Sequence, residues 1–185
     1  MHLTRHAHQI ISRYLHHGQL AIDATAGNGH DSCFLAHRVG PGGRVYAFDI
    51  QQQALQNTAE RLQEQGLAAQ VQLVHAGHQQ MRETLPSDCH GKIRAVTFNL
   101  GYLPHGEKSI TTTSDTTLPA LQQASELLCP DGIISVLAYR GHSGGMEESI
   151  ATEQKLNELA SGTLRLSIIE SPGPVLFILA PRQHD

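Results

Sequence analysis

Apolar positions along this chain fall into short runs separated by glycine turns. Residues 20–24, 44–49, 71–75, 93–98 and 133–138 each read as a strand whose two faces are both apolar. Between them lie stretches with helical spacing. Ala7, Ile10, Ile11, Tyr14 and Leu15 mark a helix over 4–17, closed by Gly18. Further helices are expected over 31–39, from about 50 to Gln65 with Gly66 as its stop, near 80–85, over 117–128 and over 145–160. Pro119 falls in the first turn of the helix starting at Thr117, where its missing N–H costs nothing. Two more strands, near 164–170 and 175–180, are joined only by Ser171-Pro172-Gly173-Pro174. That link is too short for a crossover helix, so the pair should run antiparallel.

Strand and helix alternate five times before that pair. The expected fold is α/β and Rossmann-like, a mostly parallel sheet with helices on both faces and an antiparallel C-terminal strand pair. No linker or repeat interrupts residues 1–185, so one domain is expected, with 1–18 as a helix packed on it.

Composition narrows the class. Hydrophobic residues make up 39% and charged residues 16% of 185, which is globular. No apolar run approaches the roughly 20 residues of a membrane span, and Met1-His2-Leu3-Thr4-Arg5-His6 has no signal-peptide character. Cys33, Cys89 and Cys129 form no CxxC pair, which points to a reduced, cytoplasmic protein without a zinc knuckle. The net charge of −4 gives no overall basic footprint. A nucleic-acid partner would need a local positive surface or one assembled across a dimer; Lys108, Arg140, Arg5, Arg13, His16 and His17 could line such a phosphate path. His2, His6 and His8 have metal-like spacing but read as an exposed helix face, and no metal is expected.

Two segments carry chemistry. The first is the turn Asp23-Ala24-Thr25-Ala26-Gly27-Asn28-Gly29-His30-Asp31 after the first strand. Its two glycines let backbone approach a ligand closely, yet Ser32 breaks GxGxxG and no Gly-Lys-Ser/Thr follows. Asp49 ends the second strand 22 residues after Gly27, a separation suited to a carboxylate accepting ribose hydroxyls. Asp23 suggests a cofactor with positive charge nearby, so S-adenosylmethionine fits better than a pyrophosphate. Asp31 is equally a helix N-cap or a ligand contact, whereas for Asp23 a partnership with the loop amides is the lesser alternative. Thr25, Asn28 and Gln51 complete the candidate cofactor set, with Gly77, His78 and Gln79 placed to edge an adenine.

The second is Asn99-Leu100-Gly101-Tyr102-Leu103-Pro104-His105-Gly106 after the fourth strand. Asn99 would both border the cofactor and orient a nitrogen nucleophile, and Tyr102 would stack on a base. His105 and His142 are candidate proton acceptors. Carbon methylation of a pyrimidine typically uses a cysteine nucleophile, and none lies in this loop.

These two segments, the Thr-rich stretch to Thr117 and Tyr139-Arg-Gly-His-Ser-Gly-Gly-Met-Glu147 together resemble a family of class I S-adenosylmethionine-dependent methyltransferases labelled rRNA methylases, the YtqB-like or MnmM family. The resemblance spans nearly the whole chain. It implies a seven-stranded sheet, a homodimer, S-adenosylhomocysteine as by-product, and tRNA as partner. The reaction it implies is methylation of the exocyclic amine of 5-aminomethyl-(2-thio)uridine at the wobble position. Gln19 and the turn 171–174 depart from the family pattern. Methylation of an rRNA base or a small amine, and a non-catalytic binding module, remain the alternatives.

Overall fold

A computed structural model describes residues 3–103, 110–160 and 162–182. Alternation in the sequence becomes alternation across one sheet. In β2 (Arg44–Asp49), Tyr46 and Phe48 enter one core while Val45 and Ala47 enter the other. The same split recurs in β7 (Val175–Pro181), where Val175, Phe177 and Leu179 oppose Leu176, Ile178 and Ala180. With both faces apolar, the sheet must be covered on both. One side is covered by α1 (Leu3–Ile11), α2 (His30–Val39) and α3 (Gln52–Glu64), which contribute Ala7, Leu35 and Leu62. The other is covered by α4 (Met81–Thr84), α5 (Ser114–Leu127) and α6 (Gly145–Leu159), which contribute Met81, Leu121 and Leu156.

With β1 (Leu20–Asp23), β3 (Val71–His75), β4 (Ile93–Leu100), β5 (Leu128–Ala138) and β6 (Leu164–Ile169), the strand order is β3-β2-β1-β4-β5-β7-β6. Strands β1 to β5 pair in parallel, and β7 inserts antiparallel between β5 and β6. The order reverses between β1 and β4, so a crevice opens there at the carboxyl ends of the strands.

Four boundaries differ from the sequence expectation. The first helix stops at Ile11 because Arg38 donates to the carbonyls of Ser12 and Leu15, and Arg94 to that of Tyr14, replacing helical partners. Helix α5 starts at Ser114, so Pro119 is its sixth residue rather than in its first turn. Strand β5 begins at Leu128, because a register shift against β4 between Ile93 and Ala95 absorbs the residues before Ile133. Strand β4 runs to Leu100, which puts Asn99 inside the sheet, opposite Leu137.

Candidate active site

The crevice is a cavity of about 900 Å³ bordered by the β1–α2 loop, the ends of β2, β3 and β4, and the segment 110–113. Asp49, ending β2, is held in place by the loop it faces. Its Oδ2 accepts the Gly27 N–H (2.9 Å) and its Oδ1 the Gln51 N–H (2.9 Å), leaving the outer lone pairs of both oxygens toward the cavity. Helix α3 braces the loop from behind. Thr58 Oγ1 donates to the Gly27 carbonyl (3.0 Å), Arg61 Nε to the Asn28 carbonyl (2.6 Å), and Asn57 Nδ2 to Asn28 Oδ1 (2.9 Å).

Of the candidate cofactor residues, Thr25, Gly27, Asn28, Asp31, Asp49, Gln51, Gly77, His78, Gln79 and Asn99 line this cavity. Gly29 and Asp23 are not among its lining residues. Gly29 has φ +79°, and a Cβ there would lie 2.9 Å from Thr58 Cα. Its missing side chain lets α2 and α3 close on each other, not a ligand approach. Asp23 is fully buried beneath the loop, where it accepts Ser32 Oγ–H (2.6 Å) and the Thr25 N–H (3.2 Å). Burial, with the Asp31 charge nearby, pushes its carboxyl up to about 7. Asp23 is therefore the loop's internal brace.

His78 is 7% exposed, packs edge-on against Phe98, and its Nε2 is buried without a hydrogen bond. Burial holds its imidazole neutral, pushed down to about 4.

Across the crevice, the main-chain N–H of Asn99 donates to Thr25 Oγ1 (2.7 Å), tying β4 to the glycine loop. Its side-chain Nδ2 donates to Asp31 Oδ2 (2.7 Å). Gly101 is clasped by the threonine segment: its N–H donates to Thr112 Oγ1 (2.9 Å) and its carbonyl accepts from the Thr112 N–H and Thr111 Oγ1. Thr112 in turn donates to Glu148, as does Thr117 (2.8 and 2.7 Å), and Glu148 is buried in the first turn of α6. Tyr102, partly exposed, meets His142 edge-to-face with ring centroids 6.0 Å apart. His142 Nδ1 bonds the Ser143 carbonyl side, while Nε2 is buried without a partner. His105, like Lys108 and His2, lies outside the described residues.

Several contributors were invisible in the sequence. Thr4, His30, Ile50, Leu103 and Tyr139 line the cavity, and His8, read as an exposed helix face, instead stacks on Phe34. The Thr-rich stretch carried a signal, three consecutive hydroxyls after a strand, but its buried acceptor Glu148 lies 36 residues beyond Thr112. Arg140 is not free for phosphate: it pairs with Glu170 (2.7 Å) and donates to the carbonyls of Ser171 and Gly173 in the closing turn. Among the described residues, no three His, Cys, Asp or Glu side chains gather as a metal-binding group, and no helix is long and apolar enough to cross a membrane.

Residues 45–172 match the family described as "Putative rRNA methylase". Over 154 residues the chain is 43% identical to a chloroplastic tRNA (mnm(5)s(2)U34)-methyltransferase of Arabidopsis thaliana, covering 78% of this chain and 55% of that protein. The chain thus spans about half the length of that curated relative. Two solved structures cover 97% of this chain and 97% of their own. A Clostridium thermocellum protein described as a "putative rRNA-methylase" has TM-score 0.90 at 36% identity, and a Streptococcus mutans protein described as a "putative methyltransferase", solved in complex with S-adenosylhomocysteine, has 0.85 at 33%. By sequence over most of its length and by fold over nearly all of it, this chain belongs to the rRNA methylase family of class I methyltransferases.

Proposed function

We propose that this chain is an S-adenosylmethionine-dependent N-methyltransferase acting on the exocyclic amine of 5-aminomethyl-(2-thio)uridine at the tRNA wobble position. The observation that carries the reading is the Asn99 amide. The Asn99 side chain is held by Asp31 and its main-chain N–H by Thr25, at the lip of the cavity across from the Asp49 end of the glycine loop. The substrate is supported by the tRNA methyltransferase relative, and the cofactor by the Streptococcus mutans structure.

The cavity's residues suit that cofactor. Asp49 would accept the ribose hydroxyls, and the neutral His78 would border the edge of the adenine. Thr25, Gly27, Asn28, Gln51, Gly77 and Gln79 would line the rest. When bound, the cofactor supplies an electrophilic methyl on a sulfonium. The chain's own work is alignment, which requires the nucleophile about 3–3.5 Å from the methyl carbon. Because Asn99 spends Nδ2 on Asp31, its Oδ1 is the atom left to accept an amine N–H and turn the lone pair toward the donor. Tyr102 would wall or stack on the pyrimidine. An alkylammonium resembles lysine, with a pKa of about 10.4 in water, so it must shed a proton in the site. His142, edge-on to Tyr102, and His105 are the candidates to take that proton.

The reading also includes a single domain over 1–185, a homodimer and a cytoplasmic location. One continuous sheet supports the first, and with a net charge of −4 the RNA surface would be a local patch or one assembled across two copies. Replacing Asn99 by Ala tests the proposal. Cofactor affinity by calorimetry should stay near wild type while methyl transfer to tRNA is lost. Retained turnover would remove Asn99 from the centre.

A further inference from the structure

The N-terminal helix does more than cover the sheet. Leu3, Ala7 and Ile11 form its buried face, while Thr4 lies in the cavity wall and His8, one turn on, reaches Asp31, which also lines it. Thr4 lines the cavity and hydrogen-bonds the Tyr139 side chain. His8 lies flat on Phe34, ring centroids 3.8 Å apart and planes 3° from parallel, and its Nε2 is 2.7 Å from Asp31 Oδ1. The other oxygen of that carboxylate accepts Asn99 Nδ2, also at 2.7 Å. Both partners are largely shielded, with side-chain exposures of 25% for His8 and 12% for Asp31.

We infer that His8 is a positioning residue, acting through Asp31 to set which way the Asn99 amide faces. The inference rests on the functional reading above. A carboxylate only accepts hydrogen bonds, so Asp31 must meet the NH₂ end of the Asn99 amide and turn the oxygen toward the cavity. Left alone, Asp31 in the first turn of α2 could swing to other donors. His8 removes that freedom: the stack on Phe34, one turn further along α2, fixes the ring plane, and the ring nitrogen fixes the carboxylate. The sequence Phe34–His8–Asp31–Asn99 therefore transmits the seating of α1 to the atom that grips the amine. A helix that looks peripheral becomes part of the catalytic geometry without touching substrate.

Two substitutions separate the contributions. His8→Phe keeps a flat ring for Phe34 but removes the hydrogen bond to Asp31; His8→Gln keeps a donor and gives up the ring. Misaligning a reacting pair by about 1 Å can cost on the order of 100-fold, so His8→Phe should lower kcat by about tenfold or more. Cofactor Kd and the urea midpoint should stay close to wild type, and His8→Gln should recover most of kcat. Independently of activity, the Asn99 side-chain amide protons in a ¹⁵N-labelled sample of the protein alone should exchange slowly in wild type and His8→Gln. They should exchange faster in His8→Phe. Wild-type kcat in His8→Phe, an unchanged Asn99 amide signal, or a kcat loss matched by an equal loss of cofactor affinity would each overturn the inference. If the wild-type chain leaves tRNA unmethylated, the functional reading fails, and the amide exchange still decides the positioning claim.

Discussion

Replacing Asp23 by Asn should stabilise the protein at alkaline pH, although Asp23 opens the most recognisable motif in the chain. The carboxyl is completely buried and is pushed up to about 7, first by burial and then by the Asp31 charge. In an unfolded chain the same group titrates near the ordinary value of about 3.9. Between those values the folded state binds more protons than the unfolded one, so stability falls as pH rises through that window. A gap of about three pH units corresponds to about 4 kcal/mol of lost stability by pH 8, shrinking to about 2 kcal/mol near pH 5. Asn fits the site: its oxygen can accept the Thr25 N–H and its NH₂ can donate to Ser32 Oγ, replacing both present bonds. Urea unfolding of wild type and Asp23→Asn in buffers from about pH 5 to 8 measures the effect. The variant's advantage should be smallest at about pH 5 and grow with pH to a few kcal/mol at about pH 8. A variant less stable than wild type at pH 8, or a difference independent of pH, would show that the buried carboxylate is compensated in a way this reasoning omits.

Other changes separate bracing from binding. Glu148→Ala strands the buried Thr117 hydroxyl, worth about 1–3 kcal/mol when left unpaired, and takes the acceptor from Thr112, so the thermal midpoint should drop. Glu148→Gln, which keeps one acceptor, should lose less. Gly29→Ala drives a Cβ against the Thr58 backbone at φ +79° and should destabilise by at least about 1 kcal/mol, measured by urea unfolding, with bound-state cofactor contacts intact. Asp49→Asn loses an acceptor for the Gly27 or Gln51 amide and for a ribose hydroxyl; calorimetry should find cofactor affinity weakened about tenfold or more.

How much of this was legible beforehand depends on the range of the interaction. The strands were readable because Tyr46 and Phe48 against Val45 and Ala47 is a two-residue pattern that only a doubly covered sheet satisfies. The antiparallel end followed from a link too short to cross over. Asp49 and Asn99 stand out as candidates because a polar residue closing an apolar strand at a sheet's carboxyl edge has few roles, and both line the cavity. Asp23 reads two ways because the local pattern suits a carboxylate facing a ligand or one facing inward; the inward contact is to Ser32, nine residues on. His8 and Glu148 left no local trace. Their partners Asp31 and Thr112 lie 23 and 36 residues away, brought near only when α1 and α6 dock on opposite faces of the sheet. Pro119 was set in a first turn because a start at Thr117 suited it, whereas α5 begins three residues earlier at Ser114.

The central claim is that the Asn99 lip aims a methyl group at an exocyclic amine of a wobble uridine. The direct measurement incubates the protein with methyl-labelled S-adenosylmethionine and bulk tRNA from cells lacking the modification, then digests the product to nucleosides. The account predicts label in 5-methylaminomethyl-(2-thio)uridine, dependent on Asn99. Label absent from tRNA and present instead in rRNA or a small amine would contradict it.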